Sequence, residues 1–299
     1  MSWLVEEQND NPSFVLKDLL IKESIIAAMG VYNPIVGLIA RDVGFQCLYL
    51  SGAALSASLG LPDLSLLELS DVANMARYIY RACNMPIIVD VDVGFGETLN
   101  VAKTAKEMFE SKAAAIQIED QKLPKRCGHL SGKELIESQH MVEKIKAAKK
   151  SAKDLLVVAR TDARSVCGLE EAIFRAKLYE KAGADIIFPE ALESKDEFLA
   201  FSKAINTPLL ANMTEFGKTP YISIDEFKEL GYKIVIFPVS ALRVANKAVR
   251  EAFEFIKKSG SQKNLLDKMQ DRQELYKLIK YFEYEAFDKN LKWARYIKI

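Results

Sequence analysis

The chain has 299 residues, 49% of them apolar, so it can bury a large core, and its 41 basic residues balance 41 acidic ones. With no net charge, no basic stripe and no basic aromatic patch, nucleic acid is excluded as an expected partner. No apolar run reaches the roughly 18 residues of a membrane span, and Met1 to Leu20 carries Glu6, Glu7 and Asp10 ahead of any apolar stretch, unlike a signal peptide.

Short β-branched runs alternate along the chain with longer amphipathic ones. Strands are expected at Ser24–Met29, Cys47–Leu50, Pro86–Val91, Ala115–Glu119, Leu155–Arg160, Asp185–Phe188, Pro208–Asn212 and Lys233–Phe237. Helical patterns fall between them, for example at Ser70–Asn84, Leu99–Lys112, Lys133–Lys149 and Leu169–Ala182. Eight strands, each followed by a helix, give an α/β chain with the order of a (β/α)₈ TIM-type barrel; a doubly wound sheet more often stops at five or six strands. A long helix over Ala241–Lys258 and a turn at Ser259–Lys263 precede a further amphipathic helix with Leu275, Leu278, Ile279, Phe282 and Ala286 on one face. The expectation is a single barrel domain over 1–299, with 260–299 as a helical extension whose apolar face meets a neighbouring subunit.

The four cysteines, Cys47, Cys83, Cys127 and Cys167, are widely spaced with no Cys-x-x-Cys pair. They read as reduced thiols in a cytoplasmic protein.

Strands of such a barrel carry the active site at their C-terminal ends. In the third strand Ile88, Asp90 and Asp92 fall on one face, and in the fourth Ala115, Gln117 and Glu119 do the same. The alternate positions are apolar and suit strand–helix packing, so the acidic phase is expected to point into the mouth. Carboxylates converging there repel one another unless a cation neutralises them. An all-oxygen set without His or Cys fits Mg²⁺, or Mn²⁺, rather than zinc. The competing reading makes these acids caps of the helices that follow. Basic groups lie at the same level: Arg160 ends the fifth strand, Arg243 follows the eighth, and Lys125 and Arg126 occupy the loop after the fourth. Guanidinium forks bind carboxylates with two hydrogen bonds, which suits an acidic substrate. Asn212 and Thr214 share a phase after the seventh strand, as do Phe188 and Glu190 in the sixth.

The most informative segment is Lys125-Arg126-Cys127-Gly128-His129, in the loop Gln121–Gly132. A thiol flanked by Lys, Arg and His is expected to have a lowered pKa, which suits proton transfer or nucleophilic attack. Gly128 and Gly132 would let the loop close as a lid. By contrast, Gly94-Phe95-Gly96 is not a dinucleotide fingerprint, because Leu99 stands where a third glycine belongs. His140 reads as a surface residue.

The Lys-Arg-Cys-Gly-His run resembles the signature of the isocitrate lyase/phosphoenolpyruvate mutase superfamily, in its cysteine-bearing lyase branch. Tyr49-Leu50-Ser51-Gly52, Gly60-Leu61-Pro62-Asp63, Val89 through Gly96, Gln117 through Gln121, Ala159 through Ala163, Phe188 through Ala191 and Asn212 through Gly217 agree with it in order. The resemblance covers about Ser24 to Arg250.

That resemblance implies a magnesium-dependent carbon–carbon lyase that cleaves 2-methylisocitrate to pyruvate and succinate, in the methylcitrate route of propionate catabolism. It implies Asp90 as the direct Mg²⁺ ligand, with Asp63, Asp92 and Glu119 holding coordinated waters. Ser51, Gly52 and Ala53 would bind the α-keto acid portion. Lys125, Arg126 and Gly128 would also contact substrate, and Arg160, Glu190, Asn212, Thr214 and Arg243 would meet its carboxylates. Cys127 would protonate the departing carbon, with His129 and Arg160 also in the catalytic set and Tyr49 a candidate for deprotonating the hydroxyl. Members assemble as tetramers that exchange a barrel helix, so a homotetramer is implied. The compact length and Arg126 favour the methylated substrate, with Phe188, Ile236 and Pro238 leaving room for its methyl group. Isocitrate, 2,3-dimethylmalate and oxaloacetate stay open as alternatives, because a methyl group discriminates by only about 1–3 kcal/mol. A phosphonate-type mutase or hydrolase would generally lack the cysteine motif. A non-catalytic barrel would be expected to have lost Asp90, Glu119, Cys127 or Arg160, and none is missing.

Overall fold

The computed structural model describes residues 4–8, 11–130 and 132–296, with backbone alone for 292–296. Eight parallel strands form one sheet: β1 (Ile26–Val31), β2 (Cys47–Leu50), β3 (Ile87–Asp90), β4 (Ala115–Glu119), β5 (Leu156–Thr161), β6 (Ile186–Pro189), β7 (Leu210–Asn212) and β8 (Ile234–Phe237). Their order runs from β6 back to β1 and on through β8 to β7. A single parallel bridge between Ile187 and Leu209 brings β6 to β7 and closes the barrel. The expected fold class is therefore the observed one.

Around the barrel lie α1 (Pro12–Lys22), α2 (Pro34–Val43), α3 (Gly52–Ser58), α4 (Leu69–Cys83), α5 (Thr98–Glu110), α6 (Ser138–Ser151), α7 (Ala163–Cys167), α8 (Leu169–Ala182), α9 (Lys195–Ala204), α10 (Ile224–Glu229) and α11 (Ser240–Ser259). A 3₁₀ turn over Lys263–Lys268 leads to α12 (Arg272–Leu278) and α13 (Tyr281–Tyr296).

The two faces of the strands make two cores. The outward face, with Val89, Ile116, Ile118, Val157 and Ile187, packs against the helices. The inward face stacks Ile26, Ala28, Cys47, Ile88, Ala115, Val158, Ile186, Leu210 and Ile234 inside the barrel. From below, α1 plugs this interior with Leu16, which is fully buried, while Leu19 and Leu20 pack against the same cluster. Asn11 caps that helix by accepting the Ser13 N–H. With the bottom sealed by apolar side chains, the polar residues one register step higher face the mouth alone.

Several expected boundaries shift. β3 stops at Asp90, and Asp92 lies beyond it with φ 50°, so strict alternation does not carry Asp92 onto the strand face. Lys133–Glu137 is not helical: Leu135 bridges Gln121, and α6 begins at Ser138. The extension is not one helix either, because Lys280 adopts φ 57° and separates α12 from α13. Leu278 and Ile279 pack on the chain's own core, whereas Phe282 and Leu291 stay exposed. Cys47 and Cys83 are buried, Cys127 is half-buried, Cys167 is exposed, and all four are free thiols. Among the described residues no helix is long and apolar enough to cross a membrane.

Candidate active site

The strand ends and the loops after them surround a cleft. Tyr49, Ser51, Ala53, Asp63, Asp90, Lys125, Arg126, Cys127, Gly128, His129, Arg160, Glu190, Asn212, Thr214 and Arg243 all line it, together with Phe188, Ile236 and Pro238. Three residues singled out in the sequence, Gly52, Asp92 and Glu119, sit just behind this lining.

One wall is acidic. Asp90, at the end of β3, accepts hydrogen bonds from the backbone N–H groups of Gly52 (3.2 Å) and Asp92 (3.1 Å) and from the Gln117 amide (3.1 Å). A side chain at Gly52 would place its Cβ 3.1 Å from Asp90 Oδ2, so glycine permits the backbone to approach the carboxylate. Ser51 caps α3 by accepting the Ala54 N–H at 3.2 Å. Asp92 accepts from the Ser65 hydroxyl at 2.9 Å. Lys125, almost wholly buried, bridges Asp63 and Asp92, lying 2.9 Å from the latter. Burial opposes its charge, but Glu119, Asp92, Asp63 and Asp90 override it and raise the ammonium's pKa.

The four acids do not make a ligand shell by themselves. Among the described residues no three acids, histidines or cysteines converge closely enough to chelate a metal directly. The Lys125 ammonium lies between Asp63 and Asp92. The donor set nonetheless fits a hydrated divalent cation. Asp90 is hydrogen-bonded by three neutral donors, and burial, with Asp92 beside it, lifts its carboxyl to about 6 in spite of Lys125 and Arg160. Glu119 Oε1 is buried with no hydrogen-bond partner, and burial raises that carboxyl well above the ordinary range. A cation held by one carboxylate and several waters is the usual Mg²⁺ arrangement.

The opposite wall centres on Arg160. It forks onto Asp162 (2.9 and 3.0 Å) and lies 3.3 Å from Glu119 and 3.5 Å from Glu190, over the Phe188 ring. Burial works to raise the Glu190 carboxyl, but Arg160, His129 and Lys133 bring it to about 2. The Asn212 amide donates to both Glu190 oxygens at 3.3 Å, while its own buried oxygen is without a partner. Arg243 stands half-exposed at the rim, 3.4 Å from Glu215 and over the Phe216 ring.

The thiol loop closes over the top. Gln121 braces it, accepting the Arg126 N–H at 2.9 Å and donating to the Arg126 carbonyl at 2.8 Å. Gly128 and Gly132 contribute differently. Gly132 supplies a left-handed turn (φ 82°), whereas Gly128 admits close packing: a Cβ there would lie 2.5 Å from Glu190 and 2.6 Å from Arg160. His129 Nδ1 accepts the Lys218 backbone N–H at 3.1 Å. Its Nε2 lies 3.1 Å from Glu190, out of hydrogen-bond alignment.

Tyr49 does not have the setting of a base. Its hydroxyl donates to the Gln117 side-chain oxygen, and burial together with Asp90 raises its pKa well above the usual phenol. Gln117, fully buried beneath the cleft, is a site residue that the sequence reading left without a role. Its place in the polar phase of β4, beside Glu119, was the available signal. Asp120, Asp162 and Lys133 were likewise missed. Asp120, behind the site, accepts from Thr161 (2.8 Å), Tyr179 (2.7 Å) and the Asp162 N–H (2.9 Å). His140 is a half-buried helix residue 2.7 Å from Glu97 and far from this chemistry.

Fold and site define a TIM-barrel enzyme with an acidic, cation-compatible wall, a basic wall and a thiol loop across the mouth. A family model described as phosphoenolpyruvate phosphomutase matches residues 16–257, and the chain belongs to that PEP mutase/isocitrate lyase superfamily. The chain is 54% identical, over 96% of its own length and 94% of the relative's, to a 2-methylisocitrate lyase of Aeropyrum pernix. Among solved structures, a 2,3-dimethylmalate lyase of the superfamily matches with TM-score 0.89 and 36% identity, covering 95% of this chain and 96% of that one. A phosphonopyruvate hydrolase in complex with oxalate and Mg²⁺ matches with TM-score 0.85 and 31% identity, over 96% of this chain and all of that one.

Proposed function

We propose that the chain is a magnesium-dependent lyase that splits 2-methylisocitrate into pyruvate and succinate. The observation that carries this is 54% identity, over nearly the full length of both chains, to a 2-methylisocitrate lyase, with Cys127 present at the mouth of the cleft.

Asp90, with Asp63, Asp92 and Glu119 around it, would hold the Mg²⁺ and its waters. When bound, the ion supplies positive charge to the hydroxyl oxygen and adjacent carboxylate as negative charge develops there. The chain's own groups do the rest. The turn at Ser51, Gly52 and Ala53 receives the α-keto acid portion. Arg160, fixed by Asp162, orients a carboxylate, with Asn212, Thr214 and Arg243 around the second fragment. The substrate hydroxyl loses its proton, the carbon–carbon bond breaks, and its electron pair passes to the succinate fragment. Cys127 protonates that carbon, the proton lost by the hydroxyl passes to solvent, and the Cys127 thiolate recovers a proton from solvent once the products leave. Tyr49 stays protonated and orders Gln117 and, through it, Asp90. Loop closure excludes water from the carbanion-like intermediate.

The chain works in the cytoplasm as a homotetramer. Support comes from the exposed apolar side chains Val244, Phe253, Leu266 and Phe282, which a neighbouring subunit, exchanging a terminal helix, would cover. The 2,3-dimethylmalate reading is kept alive by the lyase structure at TM-score 0.89. The deciding assay is pyruvate release from 2-methylisocitrate, isocitrate and 2,3-dimethylmalate with and without Mg²⁺, glyoxylate being followed for isocitrate. Preferred, metal-dependent turnover of 2-methylisocitrate supports the proposal; preference for another acid replaces the substrate.

A further inference from the structure

Lys133 lies outside the cleft lining, yet its side chain is 1% exposed, and a lysine is rarely buried without a partner that requires its charge. Its ammonium donates to the carbonyl of Gly128, inside the thiol loop, and lies 2.7 Å from Asp162 Oδ1. Asp162 is the same fully buried carboxylate that receives the Arg160 fork. Asp162 is in turn fixed at its backbone N–H by Asp120, at 2.9 Å. A continuous set of charge-assisted bonds therefore runs from Asp120 through Asp162 to two destinations, the Arg160 guanidinium and the peptide next to Cys127.

We infer that Lys133 is a positioning residue that fastens the Cys127 loop to the base that orients Arg160, so that thiol and guanidinium keep one fixed relation across the cleft. The geometry requires both halves of the contact. The Gly128 backbone sits so close to Glu190 and Arg160 that a Cβ would overlap them, and Lys133 is the buried cation that holds that backbone down. Without the ammonium, the Gly128 carbonyl loses a charge-assisted donor while Asp162 retains Arg160. The loop then lifts, and the barrel keeps its core. This inference rests on the reading of Cys127 as the proton donor, but its test has an arm that does not.

The experiment compares wild type with Lys133→Met, Lys133→Gln and Lys133→Arg. The first readout is the rate of alkylation of Cys127 by iodoacetamide, followed by peptide mass mapping, with exposed Cys167 as internal reference and buried Cys47 and Cys83 as reporters of unfolding. The second is the kcat and KM for 2-methylisocitrate. Expected are at least tenfold faster alkylation of Cys127 in Lys133→Met, unchanged Cys167, protected Cys47 and Cys83, and a kcat at least tenfold lower with KM changed less. Lys133→Gln should fall between, and Lys133→Arg should recover part of both. Wild-type alkylation of Cys127 in Lys133→Met overturns the fastening, whether or not this acid is the substrate. Accelerated alkylation with undiminished kcat overturns the positioning role, and so does simultaneous labelling of Cys47 and Cys83, which would make Lys133 a general structural residue. Should wild type fail to cleave 2-methylisocitrate, the substrate reading falls, and the alkylation rates still decide the fastening.

Discussion

Replacing Gly128 by alanine tests the closed loop at its tightest point. The added methyl would meet Glu190 Cγ at 2.5 Å, Arg160 Nη2 at 2.6 Å and Glu190 Cδ at 2.7 Å. None is the free end of a mobile side chain: Arg160 is forked onto Asp162, and the Asn212 amide holds Glu190. Carbon atoms rest at about 3.5 Å or more, so something must move by roughly 1 Å. The loop has fewer buried contacts than the barrel floor, and it should yield first. A displacement of about 1 Å in a reacting geometry costs roughly 10²-fold in rate, or about 2.7 kcal/mol of barrel-mouth transition-state stabilisation. Thermal stability should change little, because no core side chain is disturbed. The assay is pyruvate release under saturating substrate and Mg²⁺, alongside the unfolding midpoint. A kcat within twofold of wild type would show that Gly128 need not lie against Arg160 and Glu190 during turnover, and the closed-loop geometry would be refuted as the working one.

Cys127→Ser should fold, bind Mg²⁺ and lose most turnover, since a serine hydroxyl is a far weaker acid than a thiol; near-wild-type rates would remove the thiol from the chemistry. Glu190, held near pH 2 in the folded state against an ordinary value of 4.5, contributes stability that is fully present above about pH 4.5 and is lost as pH falls toward 2. Glu190→Gln should therefore differ from wild type by a constant margin at neutral pH, and denaturant titrations should show the margin shrinking between pH 4.5 and 2; a margin that does not narrow contradicts the ionised, Arg160-paired state. Tyr179→Phe removes one donor from buried Asp120, which keeps Thr161, Asp162 and Arg175. The expected loss of stability is about 1–2 kcal/mol by chemical denaturation, and no measurable loss would mean that Asp120 does not depend on the phenol.

The barrel could be read from the sequence because its strands are short runs of Ile, Val and Ala whose positions alternate between two cores, the periodicity that burial on both faces imposes. The acidic wall was legible for the same reason: polar residues break the inward phase at Asp90, Gln117 and Glu119. What escaped depended on contacts made far along the chain. The α1 plug matters through Leu16 entering the barrel interior, and nothing in its local pattern announces that role. The helical pattern extends over Lys133–Lys149, yet Lys133 turns to Asp162, 29 residues away. The turn at Asp92 and the break at Lys280 are backbone conformations with positive φ at non-glycine residues, for which the sequence carries no composition signal. The resemblance offers Tyr49 as a candidate for deprotonating the hydroxyl; its donor role follows from the buried Gln117 oxygen that it meets.

The most direct test is cleavage of 2-methylisocitrate by the wild-type enzyme with Mg²⁺ in D₂O, with the succinate examined by NMR and mass spectrometry. The account predicts one pyruvate per succinate and a single deuterium at one stereochemical position of succinate, delivered by Cys127 from one face. Succinate deuterated without stereochemical preference would contradict delivery by a fixed thiol, and the absence of both products would contradict the proposed reaction.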